Sequence, residues 1–189
     1  MKRKNNFLYQ PPSEWMPPEK FPNLKDAKII SVDLETRDPN LIKMGPGWAR
    51  GDGNIVGIAV SNGDRAWYFP FGHGGGYNLS ESVVKKWAKD VLENPNIKKI
   101  FHNAPYDVGW LRQWGIKVKG TIYDTMIAAP LVDENRFSYT LDSLSRDQQM
   151  RELCGMLGYY LFIEWLYSSG YIDFEAYKCS ISGAIYPKY

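Results

Sequence analysis

The run Lys28-Ile29-Ile30-Ser31-Val32-Asp33-Leu34-Glu35-Thr36 constrains the fold more than any other stretch of this 189-residue chain. β-Branched Ile29, Ile30 and Val32 favour a strand buried on both faces, in the middle of a sheet. Side chains alternate along a strand, so Asp33 and Glu35 project from one face near its carboxyl end. Two carboxylates that close repel each other unless a proton or a cation lies between them. Two readings follow: a site for a hard divalent ion, Mg²⁺ or Mn²⁺, or a solvated strand end whose acids face water. An acid-x-acid pair alone does not separate them.

The segments around this strand set the architecture. Residues 1–26 hold prolines at 11, 12, 17, 18 and 22, which exclude a regular helix or central strand and imply an extended lead-in that wraps the domain or links it to something upstream. The first strand is expected at 27–34. A turn-rich loop follows, with Gly45-Pro46-Gly47 and Gly51-Asp52-Gly53. Asn54 to Ser61 reads as a second strand, Asn62-Gly63 as a two-residue hairpin, and Arg65 to Pro70 as the return strand, giving an antiparallel meander. Gly72-His73-Gly74-Gly75-Gly76 is a loop without the lysine and hydroxyl of a phosphate-cradling motif. His73 is more simply a loop histidine than a substrate contact.

Ser80 fits a helix N-cap, and Val83, Val84, Trp87, Ala88 and Val91 are expected to line the buried face of the helix that follows. Asn94-Pro95 ends it. A strand at Lys98 to Asn103 runs into a helix at 104–114, which stops at Gly115. A short strand over Ile116 to Tyr123 and a helix over Asp124 to Leu131 complete the pattern. Strand meander followed by helix–strand–helix–strand predicts a mixed α/β sheet, its first three strands antiparallel and the rest parallel, with flanking helices.

Length and composition allow one globular domain with a proper core, at 44% hydrophobic and 23% charged residues. A net charge of +2 does not mark a strongly basic nucleic-acid binder, but bound cations would supply positive charge locally. The two cysteines, Cys154 and Cys179, lack the spacing of a zinc site or a disulfide framework and fit a reducing cytoplasm. The basic N-terminus is followed by no signal-peptide core. Leu153 to Tyr167 is apolar but contains Glu164 and falls short of the roughly 18 residues that suggest a membrane span. A buried helix is expected there, and no membrane association.

A second polar element, His102-Asn103-Ala104-Pro105-Tyr106-Asp107, also stands at the carboxyl end of an expected strand, where α/β proteins usually bind ligands. Asn103 and Asp107 are four apart at a helix entry and share a face. Taken alone they would be a cap and a complement to the helix dipole. With Asp33 and Glu35 they put three carboxylates on one edge of one sheet. That set suits two-metal hydrolysis of a phosphodiester, the ions about 4 Å apart, with Asp33 bridging, Glu35 on the first and Asp107 on the second.

These segments resemble the DEDD superfamily of 3′–5′ exonucleases. Val32-Asp33-Leu34-Glu35-Thr36 is similar to its first motif. Phe101 to Leu111 is similar to the second motif of the branch that proofreads for family A DNA polymerases. Trp67-Tyr68-Phe69-Pro70-Phe71-Gly72-His73, Tyr123-Asp124-Thr125-Met126 and Thr140-Leu141-Asp142-Ser143-Leu144 also resemble that branch, and the likeness covers 27–147. It implies a ribonuclease H-like fold and removal of nucleotides from the 3′ end of single-stranded DNA. Asp33, Glu35 and Asp107 would hold two divalent metal ions, Mg²⁺ or Mn²⁺. Leu34 and Thr36 would meet the terminal nucleotide, Asn103 would shape its pocket, and Asp124 would support the ligands from behind. The implied setting is the cytoplasm of a bacterium or phage-infected cell, with a DNA polymerase on a separate chain as partner.

The chain departs from that pattern at the third motif, a Tyr or His four residues before an Asp, which supplies a fourth carboxylate. No such pair follows Asp107; Tyr160 with Glu164 and Tyr171 with Glu175 come nearest. The expected organisation is a proline-rich extension at 1–26, an exonuclease domain at 27–147, and a helical tail at 148–189 that replaces the closing helices through truncation or a shifted reading frame. Two alternatives remain open at this stage: a non-catalytic remnant that binds nucleic acid, and an RNA-trimming exonuclease of the ribonuclease D type.

Overall fold

The computed structural model describes residues 16–145. Its centre is a five-stranded sheet in the order β3-β2-β1-β4-β5. β1 spans Ile29–Arg37, β2 Asn54–Ser61, β3 Ala66–Pro70, β4 Lys98–Phe101 and β5 Ile122–Asp124. β1, β2 and β3 run antiparallel, whereas β4 lies parallel to β1 and β5 parallel to β4. This is the ribonuclease H-like mixed sheet, with β1 in the middle as its β-branched run requires.

Alternation along β1 divides its two faces. Ile30, Val32 and Leu34 are buried on one side with Ile58 and Val60 of β2 and Phe69 of β3. Helix α2 (Glu81–Leu92) covers them with Val84, Ala88, Val91 and Leu92, and α3 (Ala104–Gln113) with Trp110 and Leu111. Each large side chain so buried contributes about 1.5–3 kcal/mol. Val83 of α2 is 51% exposed, against expectation. The buried stripe runs 84, 88, 91, 92, and Val83 lies about 100° from it around the helix. The lead-in packs onto the same core: Leu24 is buried, Phe21 stacks on Phe69 at 5.0 Å, and Trp87 Nε1 donates to Pro22 O at 3.0 Å.

Four further boundaries differ from expectation. β1 runs on to Arg37 because pairing with β2 continues to Arg37–Asn54, so Glu35 lies within the strand. The β2–β3 connection has four residues, since Ser61 pairs with Ala66 and Asn62 Oδ1 accepts from the N–H groups of Asp64 and Arg65. β4 ends at Phe101, where the backbone turns into α3. β5 starts only at Ile122, because residues before it are tied elsewhere: Ile116 N–H bonds Leu111 O, and Lys119 N–H bonds Leu92 O.

Buried Lys99 fixes this corner by donating Nζ to Asn94 O at 2.5 Å and Lys119 O at 2.6 Å. A short α1 (Leu41–Met44) and a 3₁₀ turn (Gly47–Ala49) fold the loop after β1. Helices α4 (Thr125–Val132) and α5 (Leu141–Ser145) follow β5. Among the described residues no helix is long and apolar enough to cross a membrane. The expected tail helix, including Leu153 to Tyr167, and the pairs Tyr160–Glu164 and Tyr171–Glu175 lie outside the described residues.

Candidate active site at the carboxyl ends of β1 and β4

The other face of the sheet carries Asp33 and Glu35. In the register with β2, Asp33 stands opposite Ala59 and Glu35 opposite Gly57. Parallel pairing between β1 and β4 stops at Ser31–Ile100. Beyond that point β4 turns away into α3, and the edge of β1 is met by a side chain instead of a strand. The buried carboxylate of Asp107 accepts a hydrogen bond from the N–H of Leu34, the residue between the two acids of β1.

Electrostatics joins the three carboxylates. Burial pushes the Asp33 pKa up from 3.8 to about 7. Burial, and then the charge of Asp33, raises Glu35 from 4.5 to about 7. Asp107 is held well above the usual carboxylate range by burial first and by Asp33 second, with the Leu34 N–H opposing and Asp124 adding to the rise. Asp33 is therefore the hub, repelling Glu35 on its own strand and Asp107 on α3. Among the described residues no group of three or more Asp, Glu, His or Cys side chains stands so that it could hold a metal ion as placed here. Their relation is mutual repulsion in a poorly solvated cleft, the condition a proton or cation relieves.

The entry to α3 is fixed by a residue from the neighbouring strand. Asn103 adopts φ 69° and ψ 53°, the one positive φ among the described non-glycine residues, in a region asparagine tolerates better than most. Its side chain makes no capping bond, which corrects the reading of Asn103 as the cap. Asp124 performs that task. Its carboxylate accepts from Asn103 N at 3.0 Å, Ala104 N at 2.8 Å and Met126 N at 2.9 Å. Asn103 is left exposed at the rim of the cleft.

Leu34 and Thr36 part company. The Leu34 side chain is 6% exposed and belongs to the core on the opposite face, so a nucleotide would meet its main chain only. Thr36 Oγ1 lies 2.9 Å from the Tyr106 hydroxyl, which donates to Asp38 Oδ2 at 3.2 Å. Asp38 also accepts from Gly47 N–H at 2.8 Å, and Arg50 spans Asp38, Asp52 and the carbonyls of Met44 and Gly45. Sequence reasoning missed the roles of Asp38, Arg50 and Tyr106. Arg37-Asp38-Pro39-Asn40 signalled a turn, but nothing in it named Tyr106, 68 residues away, as partner.

Residues 19–154 match the family described as 3′–5′ exonuclease, and the match spans Asp33, Glu35 and Asp107. The chain belongs to this family. Among its relatives, a DNA-directed DNA polymerase of Pseudomonas phage M6 is 34% identical over 140 residues, covering 70% of this chain and 21% of the relative. DNA polymerase I of Pseudomonas aeruginosa is 29% identical over 129 residues, covering 65% of this chain and 13% of the relative. The exonuclease chain thus spans about a fifth or less of the length of these polymerases. A solved structure of Brucella melitensis NrnC with bound Mg²⁺ aligns with a TM-score of 0.49 at 17% identity, covering 87% of each chain.

Proposed function

We propose that this chain removes nucleotides from the 3′ end of single-stranded DNA, with Asp33, Glu35 and Asp107 holding two divalent cations, Mg²⁺ or Mn²⁺. The observation that carries the proposal is the convergence of Glu35 and Asp107 on Asp33: burial raises all three carboxylates, and the charge of Asp33 raises the other two further. Hard oxygen donors in a poorly solvated cleft fit a divalent ion well. When bound, the cations supply the Lewis acidity that makes a hydroxide nucleophile at neutral pH and stabilises the leaving 3′ oxygen.

The chain's own residues orient these parts. Asp33 interacts with both other acids and would share in holding both cations. Asp107 keeps one bond to Leu34 N–H, which fixes the carboxylate while leaving it lone pairs for a cation. Asp124 sets the position of Asp107 through the first turn of α3. Thr36, the Leu34 main chain and Asn103 border the space for the terminal nucleotide.

In this reading residues 27–147 are the exonuclease domain, between a proline-rich extension at 1–26 and a tail at 148–189. Its proposed partner is a DNA polymerase on a separate chain, in the cytoplasm of a bacterium or phage-infected cell; in the polymerase relatives the matched segment is part of one longer chain. The test is release of nucleotides from single-stranded DNA and RNA labelled at their 3′ ends, with Mg²⁺ or Mn²⁺, in parallel. Stepwise loss from the DNA 3′ end is expected. Degradation of RNA alone would make the chain an RNA-trimming enzyme, and cation binding without turnover would make it a nucleic-acid-binding remnant.

A further inference from the structure

The face that carries Asp33 and Glu35 also carries Tyr68, because Tyr68 of β3 pairs with Ala59, which pairs with Asp33. Its hydroxyl does not stay over Ala59. A Cβ placed on Gly57 would lie 2.0 Å from that hydroxyl and 2.5 Å from the ring carbon bearing it, so the tyrosine head rests directly on the glycine. Gly57 stands opposite Glu35. Glycine weakens a strand interior, and its use there often marks a place another group must approach closely. Here that group is a phenol.

Directly opposed Cβ atoms on antiparallel strands are about 4.5–5.5 Å apart. The Tyr68 hydroxyl is therefore a near neighbour of the Glu35 side chain.

The hydroxyl is itself held. Tyr68 Oη and His73 Nε2 are 2.5 Å apart, with the two rings edge to face at 5.9 Å. His73 comes from the glycine-rich loop, yet that loop is pinned at this residue. Its N–H donates to Asn78 Oδ1 at 2.9 Å, and its carbonyl accepts from Asn78 Nδ2 at 3.0 Å. A paired histidine, fixed through its main chain by an asparagine, is more than a loop needs for solubility.

We infer that Tyr68 and His73 form a positioning pair on the Glu35 side of the cleft: His73 fixes the Tyr68 hydroxyl, which holds the Glu35 carboxylate across one water. The pair faces Glu35 from the β3 side of the sheet, opposite the side on which β4 leads into α3, and would act through Glu35 on a cation held there. This inference rests on the reading of Glu35 as a cation ligand.

The full chain tests it with Tyr68→Phe, His73→Ala, the double variant and His73→Gln, read by steady-state release from 3′-labelled single-stranded DNA and by Mn²⁺ titration. Tyr68→Phe keeps the ring on Gly57 and removes only the hydroxyl. It should lower kcat about tenfold or more, leave KM within about threefold, and weaken Mn²⁺ binding about tenfold, the usual range for groups that orient a ligand. His73→Ala should match it, the double variant should be no worse than either single, and His73→Gln should recover part of the loss. Unchanged Mn²⁺ affinity and kcat in Tyr68→Phe overturn the inference, as do losses in the double variant that multiply. Should the parent chain bind Mn²⁺ without turnover, the affinity arm alone decides. A parent chain that binds no Mn²⁺ refutes the proposed function, and the pair falls with it.

Discussion

Asp107 reaches Leu34 across the gap left where β4 quits the sheet, and its carboxylate accepts the Leu34 N–H. One bond thereby ties the second polar element to the first, between Asp33 and Glu35. A buried main-chain N–H without a partner costs about 1–3 kcal/mol, so the strand needs an acceptor at this point. A carboxylate meets that need and brings negative charge to the cleft at once. In the proposed reading structural and chemical roles coincide in this side chain.

Asp33→Asn removes the charge at the hub while keeping the shape. Exonuclease activity should fall by about a thousandfold, the loss expected when several kcal/mol of cation-dependent stabilisation disappears. The fold should survive, because the substitution also removes repulsion toward Glu35 and Asp107. Melting by circular dichroism in the presence of chelator should therefore show a midpoint at or above the parent's at pH 7.5. Full activity in this variant would refute the site assignment.

The raised carboxylates make stability depend on pH in a definite direction. Asp33 and Glu35 have folded-state pKa values of about 7, above their ordinary values of 3.8 and 4.5. A carboxylate raised on folding stabilises the native state fully below its unfolded pKa, and that contribution is lost as pH rises through the folded value. The chelated chain should thus melt at a higher temperature near pH 5 than near pH 8. Mg²⁺ or Mn²⁺ should reverse the trend and release protons on binding near pH 6.5, measurable by calorimetry in buffers of different ionisation enthalpy. No proton release near that pH would contradict the arrangement.

Asp124 caps the helix that carries Asp107. In Asp124→Ala three main-chain N–H groups lose their acceptor. Loss of a helix cap costs about 0.5–2 kcal/mol, which for a chain of this size lowers the melting midpoint by roughly 2–8 °C. Activity should fall about 10–100-fold as the first turn of α3 carries Asp107 out of register. Adding Mg²⁺ to tenfold excess should recover part of it. An active variant with only lowered stability would limit Asp124 to the cap.

Tyr106→Phe cuts the link between Thr36 and Asp38. About 1 kcal/mol of stability should be lost, the usual net worth of a buried hydrogen bond. In the proposed reading Thr36 borders the nucleotide space, so KM for single-stranded DNA should rise more than kcat falls. A change in kcat alone would place Tyr106 with the ligands instead.

Much of this was legible in the sequence because it depends on local pattern. β-Branched residues marked β1 as central, the acid-x-acid spacing put Asp33 and Glu35 on one face, and a helix over 104–114, observed as Ala104–Gln113, followed from Pro105 and its flanking strand. What stayed hidden depends on contacts far apart in the chain. Asp124 caps α3 from 20 residues away, Tyr106 meets Asp38 across 68, and the shortened β5 follows from Ile116 and Lys119 being drawn to α3 and α2. Val83 misled because a 3.6-residue period tolerates two adjacent apolar residues, of which packing buries one. His73, read as a plain loop histidine, bonds Tyr68 because Gly57 makes room for the phenol.

Counting bound Mn²⁺ by electron paramagnetic resonance tests the sharing of cations by Asp33, Glu35 and Asp107 most directly. The parent chain should hold two ions at neutral pH, Asp107→Asn one, and Asp33→Asn neither with comparable affinity. Equal binding in all three chains, or none in the parent, would contradict a cation site centred on Asp33.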